Sequence, residues 1–147
     1  MKTELNTQTQ NSDYAATLLR VSLGSIFLAH GLWKVLALGL PTTAGFFESQ
    51  GFPGWTAYLV VAGEIGGGAL MILGVQTRAI ALLMLPILLG ALKVHLPNGF
   101  VFSYPNGGWE YPAFLIVASG VQALLGDGAY ALGRVFGGHA RLATANS

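Results

Sequence analysis

The sequence predicts an all-α integral membrane protein, a four-helix transmembrane bundle with its N- and C-termini cytoplasmic. Three observations predict it. The chain is 53% hydrophobic and only 9% charged, against roughly 25% charged residues in an average soluble domain. Four apolar stretches follow one another, each apolar on every face where a soluble amphipathic helix would carry a polar stripe. Lys and Arg are shared unequally between the two sets of connections, which orients the bundle.

The elements read in order as follows. Residues 1–13 are polar, with Asn6, Thr7, Gln8, Thr9, Gln10, Asn11 and Ser12 in succession, and are expected as a mobile tail. No cleavable signal is apparent there, so the first apolar segment, Tyr14 to Leu40, is expected to act as an uncleaved anchor. Segment two runs from Trp55 to Gln76, segment three from Ala79 to Leu96 and segment four from Tyr111 to Leu132. Crossing the hydrocarbon core takes about 20 residues, so segment three is just long enough. Gly39, Pro41, Gly51, Pro53 and Gly54 bracket a first loop that holds a short interfacial helix around Ala44–Gln50, with Phe46 and Phe47 on it. Gly74 to Arg78 make a tight turn, and Pro97-Asn98-Gly99 and Pro105-Asn106-Gly107-Gly108 make the third loop irregular. Pro86 frees the carbonyl of Leu82 and is expected to kink segment three. The helical domain thus covers residues 14–136, and residues 137–147 form a cytoplasmic tail.

With the amino terminus inside, the inner side carries Lys2, Arg20, Arg78, Arg134 and Arg141, and the outer side only Lys34 and Lys93. Five against two places both termini on the cytoplasmic side of a multi-pass membrane protein. Trp55, Tyr58, Tyr104, Trp109 and Tyr111 then gather at the outer ends as interfacial anchors. Arg20 is expected to snorkel to the cytoplasmic head groups and Arg78 to anchor the inner turn.

Composition also excludes. A formal net charge of +1 without a basic patch argues against a nucleic-acid partner. The chain has no cysteine, which removes thiolate nucleophiles, disulfides and iron–sulfur ligation. Gly66-Gly67-Gly68 is no phosphate loop, for no Lys-Ser/Thr follows and no strand precedes it. Gly63 and Gly67 have instead the small-xxx-small spacing that lets helix backbones approach.

The ionisable residues within the apolar segments concentrate in the outer half. His30 and Lys34 share one helix face at i, i+4. At 1.5 Å per residue His30 lies about 12 Å deep, Lys34 about 6 Å, and Glu64 about 13 Å from the entry at Trp55. His30 and Glu64 are therefore level. Lys93 and His95 lie near the outer end of segment three, too close in sequence for both to point inward, and Glu110 opens segment four. The functional reading is an outward-opening polar pocket with His30 and Glu64 at its floor, Lys34 above, and His95 and Glu110 at the rim. The structural alternative is that Lys34 pairs with Glu64 and only locks two helices together. His30 and His95 differ in depth by about 10 Å, which disfavours a shared haem iron or a metal held by His30, Glu64 and His95, and no metal site is expected.

These residues, in this order, resemble the DoxX family of bacterial membrane proteins. The pieces are Leu19-Arg20, His30-Gly31-Leu32-Trp33-Lys34, Gly51-Phe52-Pro53 and Glu64-Ile65-Gly66-Gly67. They continue with Leu73-Gly74-Val75-Gln76-Thr77-Arg78, His95-Leu96-Pro97-Asn98-Gly99-Phe100 and Gly108-Trp109-Glu110-Tyr111. The resemblance covers about residues 14 to 136. Trp33 stands where Gln is more usual and Ala131 where Ser is, neither expected to touch the polar set. The resemblance implies a four-helix membrane fold and a link to redox biology. A related protein, DoxD, is similar to the membrane-embedded small subunit of thiosulfate:quinone oxidoreductase, and other members go with quinone or oxidative stress or assemble with soluble thiol-handling enzymes.

The expectation is therefore a membrane subunit of a redox or quinone-linked stress system. His30 and Glu64 would be its proton-handling residues. Phe27, His30, Lys34, Glu64, His95 and Glu110 would hold a quinone or small aromatic ligand. No cofactor is expected to be covalently bound, and a soluble redox or thiol-handling partner would supply electrons. Two other classes stay open: a non-catalytic scaffold docking partner proteins, and a component of a small-molecule transporter, the latter needing a homo-oligomer for an adequate pathway.

Overall fold

A computed structural model describes residues 2–133 of the chain. Arg134, Arg141 and the expected C-terminal tail lie outside the described residues. Those that are described fold into five α-helices without a strand: α1 (Lys2–Trp33), α2 (Leu40–Ser49), α3 (Thr56–Leu73), α4 (Thr77–His95) and α5 (Glu110–Leu125). Three helical stretches are long and apolar enough to cross a membrane: Asn6–Leu38, Thr56–Leu73 and Thr77–Asn98. The fourth apolar helix, α5, is shorter, at 16 residues.

Two expected boundaries move, each for a physical reason. The polar stretch read as a mobile tail is the opening of α1. No glycine or proline interrupts the chain before Gly24, so helix propagates backwards from the apolar part at little cost per residue. Segment four, expected to reach Leu132, stops at Leu125 because Gly126 and Gly128 take positive φ of 85° and 68°. The chain then turns back onto α1, where Ala129 donates its N–H to the Asp13 carbonyl at 3.1 Å and Thr17 Oγ1 donates to the Ala129 carbonyl at 2.8 Å.

Glycine shapes the bundle at specific contacts. At the α1–α3 crossing, a Cβ on Gly68 would lie 2.6 Å from the Leu28 nitrogen, and one on Gly24 would lie 2.8 Å from the Gly68 carbonyl oxygen. About two turns beyond Gly24 along α1, Gly31 abuts Ile65 and the Cβ of Glu64. The expected pair Gly63 and Gly67 faces α4 instead, where it receives the ends of Ile87 and Met84. The close backbone approach is thus made by Gly24 with Gly68, because Gly63 and Gly67 lie on another face of α3. The core between α1, α3, α4 and α5 is apolar, with Leu23, Phe27, Met71, Met84, Leu88 and Leu115 all buried.

Two helices end in the same way. After α2, Gly51 (φ 80°) lets Gly51 N–H reach the Glu48 carbonyl and Phe52 N–H reach the Phe47 carbonyl, both at 3.0 Å. After α3, Gly74 N–H reaches Met71 and Val75 N–H reaches Leu70, also at 3.0 Å. Both pairs are the Schellman arrangement, which satisfies carbonyls that a helix end would otherwise leave bare. The first brings the rings of Phe47 and Phe52 together, 6.1 Å between centroids.

Arg20 does not snorkel. It is 2% exposed, and its guanidinium lies against Gly74, where any Cβ would collide with it. Nη2 donates to the Ala129 carbonyl at 3.4 Å. The returning chain after α5 covers this part of α1, so an Arg expected at the surface is enclosed.

Candidate functional site

The site begins with a wide turn. At Lys34 the regular hydrogen bonding of α1 gives way to a π-helical stretch, Lys34–Leu38, which ends at Gly39 with φ 81°. Such turns interrupt helices often at functional positions. Here the interruption starts at the one lysine of the central cluster. Side chains on a helix lean toward its amino terminus, so the Lys34 ammonium reaches back along α1 to the level of Glu64 on antiparallel α3.

There it meets the carboxylate fully. Lys34 Nζ donates to Glu64 Oε1 at 2.6 Å and to Oε2 at 2.7 Å. Glu64 is 6% exposed, which fits a helix crossing held close by Gly31. Charge-assisted bonds of this length in a poorly solvated site are strong, and each partner offsets the desolvation of the other.

Beside the pair lies a cavity of about 410 Å³, within the range of roughly 300–1,000 Å³ typical of small-molecule sites. Aromatic rings supply much of its wall: Phe27 and Trp33 from α1, Phe46, Phe47 and Phe52 from α2 and the turn after it, and Tyr111 from α5. Aliphatic residues of α4 and α5 close it, among them Ile87, Leu88 and Leu115. Its polar groups are few: His30, Lys34, Glu64, His95, Gln50 and Thr56.

Of the six residues expected to hold a ligand, five line this cavity: Phe27, His30, Lys34, Glu64 and His95. Phe27 is buried against the core at 3% exposure. His30 is exposed on the bundle surface yet borders the cavity. Its Nδ1 lies 2.8 Å from the Ile26 carbonyl; a carbonyl only accepts, so Nδ1 carries the proton and Nε2 is left for another partner. The ring packs near Tyr111, 6.2 Å between centroids. Neither Glu64 nor Lys34 is bonded to His30; the cavity is what they share.

Glu110 is not brought to the cavity. Its Oε1 accepts the Phe102 N–H at 2.8 Å and so ties the loop between α4 and α5. His95 serves that loop as well as the wall, for its Nδ1 lies 3.1 Å from the Asn106 carbonyl and 3.3 Å from that of Gly107. Lys93, two residues away, turns outward and places its ammonium 4.7 Å from the centre of the Phe52 ring, a cation–π contact. Among the described residues, His, Asp and Glu nowhere gather in threes as a metal-ligand set.

Trp33, expected to stand apart from the polar set, lines the cavity next to Lys34. The rings of α2 and Phe52 also line it, although the first loop is expected from sequence only to lie at the interface. The signal was present in Gly51-Phe52-Pro53: a glycine after a helix, followed by an apolar residue, is the Schellman pattern with its hydrophobic contact.

Comparison with known proteins adds to this geometry. No solved structure matches the chain. A protein of Bacillus subtilis (strain 168) named "Putative oxidoreductase CatD" is 38% identical over 111 residues, which cover 75% of this chain and 78% of that protein. The family model described as DoxX, a membrane-associated family, matches residues 15–97. That match takes in more than half of the sequence, including His30, Lys34, Glu64 and His95, and the chain belongs to the DoxX family.

Proposed function

We propose that this protein is the membrane subunit of a redox system and that its cavity binds a quinone or a quinone-like aromatic head group. The observation that carries the reading is one cavity of about 410 Å³ with aromatic walls and a short polar edge formed by His30 and the Lys34–Glu64 pair. Flat rings stack favourably on such walls, and the polar edge can hydrogen-bond a ring oxygen. Reducing a quinone consumes two electrons and two protons. His30 Nε2 and the Glu64 carboxylate are both bases, which can take up a proton from water and pass it to the oxygen of a quinone as it is reduced. A soluble redox or thiol-handling enzyme would supply the electrons, and the oxidoreductase in the relative's name supports a reaction of that class.

The proposal includes a topology. The chain crosses the bacterial cytoplasmic membrane four times with both termini inside, and the cavity lies in the outer half. α5 is about 24 Å long at 1.5 Å per residue, and Trp109 and Tyr111 at its head suit an interfacial position. Reporter fusions near Gln76 and at Ser147 should read cytoplasmic and those in the first and third loops external. An external carboxyl terminus contradicts this arrangement.

A second reading has one specific observation in its favour. Lys34 occupies both oxygens of Glu64, which locks α1 to α3 without any ligand, as a protein-docking scaffold would need. Binding separates the two. Trp33 borders the cavity, so a soluble benzoquinone should quench its fluorescence, identified by subtraction of a Trp33→Phe variant. Folded Lys34→Met and Lys34→Met/Glu64→Gln variants, which lack the ammonium that can donate to a quinone oxygen, should bind the probe roughly ten- to a hundred-fold more weakly, the loss of about 1.5–3 kcal/mol from a hydrogen bond to a charged group. A parent that does not bind, or folded variants that bind as tightly, leaves the scaffold reading.

A further inference from the structure

At the opposite end of the bundle from the cavity lies a second set of polar groups. Thr77, Ser119 and Gln122 are each 0% exposed. No group among the described residues hydrogen-bonds Thr77 Oγ1, Ser119 Oγ or Gln122 Oε1. The Gln122 amide nitrogen is satisfied, donating to the Gly126 carbonyl at 2.7 Å, and the Thr77 backbone N–H is held by Asp127 Oδ1 at 3.0 Å. Buried polar atoms without a partner are rare in proteins. Three at one end of a small bundle call for an occupant.

Their spacing identifies it. Leu115, which lines the cavity, shares one face of α5 with Ser119 and Gln122, at i, i+4 and i+7. By helix rise Ser119 lies about 6 Å beyond Leu115 and Gln122 about 10–11 Å beyond it. On antiparallel α4, Thr77 lies about 16–17 Å beyond cavity-lining Leu88. In depth along the bundle these residues therefore step away from the cavity floor by about 4.5–6 Å at a time, within the reach of one water bridging two hydrogen bonds of about 2.8 Å. Arg20, enclosed at 2% exposure, is level with Gln122, as it lies about 10–11 Å beyond Phe27.

We propose that Thr77, Ser119 and Gln122 hold a file of internal water molecules leading from the Arg20 end of the bundle toward the floor of the cavity. Its existence does not depend on what the cavity binds. Its use does rest on the redox reading, under which it gives a ligand a source of protons from the side opposite the cavity's exposed lining.

The experiment needs no ligand. Full-length protein in nanodiscs is exposed to millisecond X-ray hydroxyl-radical labelling, which modifies residues beside bound water even where they are buried. Met84, fully buried and level with Ser119, should be oxidised in the parent and several-fold less in a folded Thr77→Val/Ser119→Ala/Gln122→Leu variant. Unfolding of the single variants gives a second readout. Around a hydrated hydroxyl, Ser119→Ala and Thr77→Val lower the midpoint; around a dry unpaired one they raise it. An unlabelled Met84 in the parent, or a raised midpoint in both single variants, overturns the file. Because no quinone enters the experiment, that failure is distinct from failure of the cavity to bind one.

Discussion

Removing the carboxylate of Glu64 tests the central contact of the structure. Glu64 is 6% exposed, and both of its oxygens accept from Lys34 at 2.6 and 2.7 Å. Breaking a buried ion pair by deleting one partner costs about 3–5 kcal/mol, because the other charge is left desolvated. The Lys34 side chain keeps 18% of its exposure, so its flexible stem can carry the ammonium partway to the surface. Glu64→Leu should therefore destabilise the protein by about 2–4 kcal/mol. Glu64→Gln keeps one acceptor for the lysine and should cost less, about 1–2 kcal/mol. The double variant Lys34→Met/Glu64→Leu should recover most of the loss, since a well-packed apolar pair is often as stable as the ionic one. Reversible unfolding in detergent or bicelles measures all three. A Glu64→Leu variant as stable as the parent, or a double variant no better than the single one, would mean that the Lys34–Glu64 contact does not hold the two helices.

Three further predictions follow from packing at other points. Gly68→Ala should cost at least about 1–3 kcal/mol, because its Cβ would lie 2.6 Å from the Leu28 nitrogen in an α1 backbone that cannot yield; unfolding measures the loss, and a neutral substitution would show that the two helices do not meet there. Arg20→Ala and Arg20→Met should both be strongly destabilising, seen as loss of folded protein on size exclusion, whereas an Arg that merely reached the head groups would tolerate either. Asp127→Ala should cost about 0.5–2 kcal/mol, the worth of a cap, as its carboxylate holds the Thr77 N–H from across the bundle at 3.0 Å; Asp127→Asn should retain most of the stability.

The sequence made some of this legible and concealed the rest for identifiable reasons. Helix content and the three longest apolar stretches follow from composition and uninterrupted hydrophobicity, which need no tertiary information. Counting residues from the loops by helix rise puts His30 rather than Lys34 level with Glu64; the structure instead pairs Glu64 with Lys34, whose long side chain reaches back along α1. Arg20 was misplaced by the same count. Depth says where a residue lies along the membrane normal, whereas its enclosure depends on the chain after Gly126 returning over α1, a long-range contact. Glu110 was placed at the pocket rim because it precedes α5, but the loop's hydrogen bonding took its carboxylate. The aromatic wall is not legible in the sequence because Phe46, Phe47 and Phe52 border the cavity only once Gly39 and Gly51 fix the path of α2.

The claim that matters most is that the cavity beside Lys34 and Glu64 holds a small aromatic molecule. The direct measurement is density from the full-length protein purified in its native lipids, with mass spectrometry of whatever dissociates. A flat density should lie among Phe27, Trp33 and Phe47, its polar edge within hydrogen-bond distance of His30 or the Lys34–Glu64 pair, with a quinone-sized aromatic mass released. A cavity filled only by lipid acyl chains, with no aromatic compound released, would contradict it.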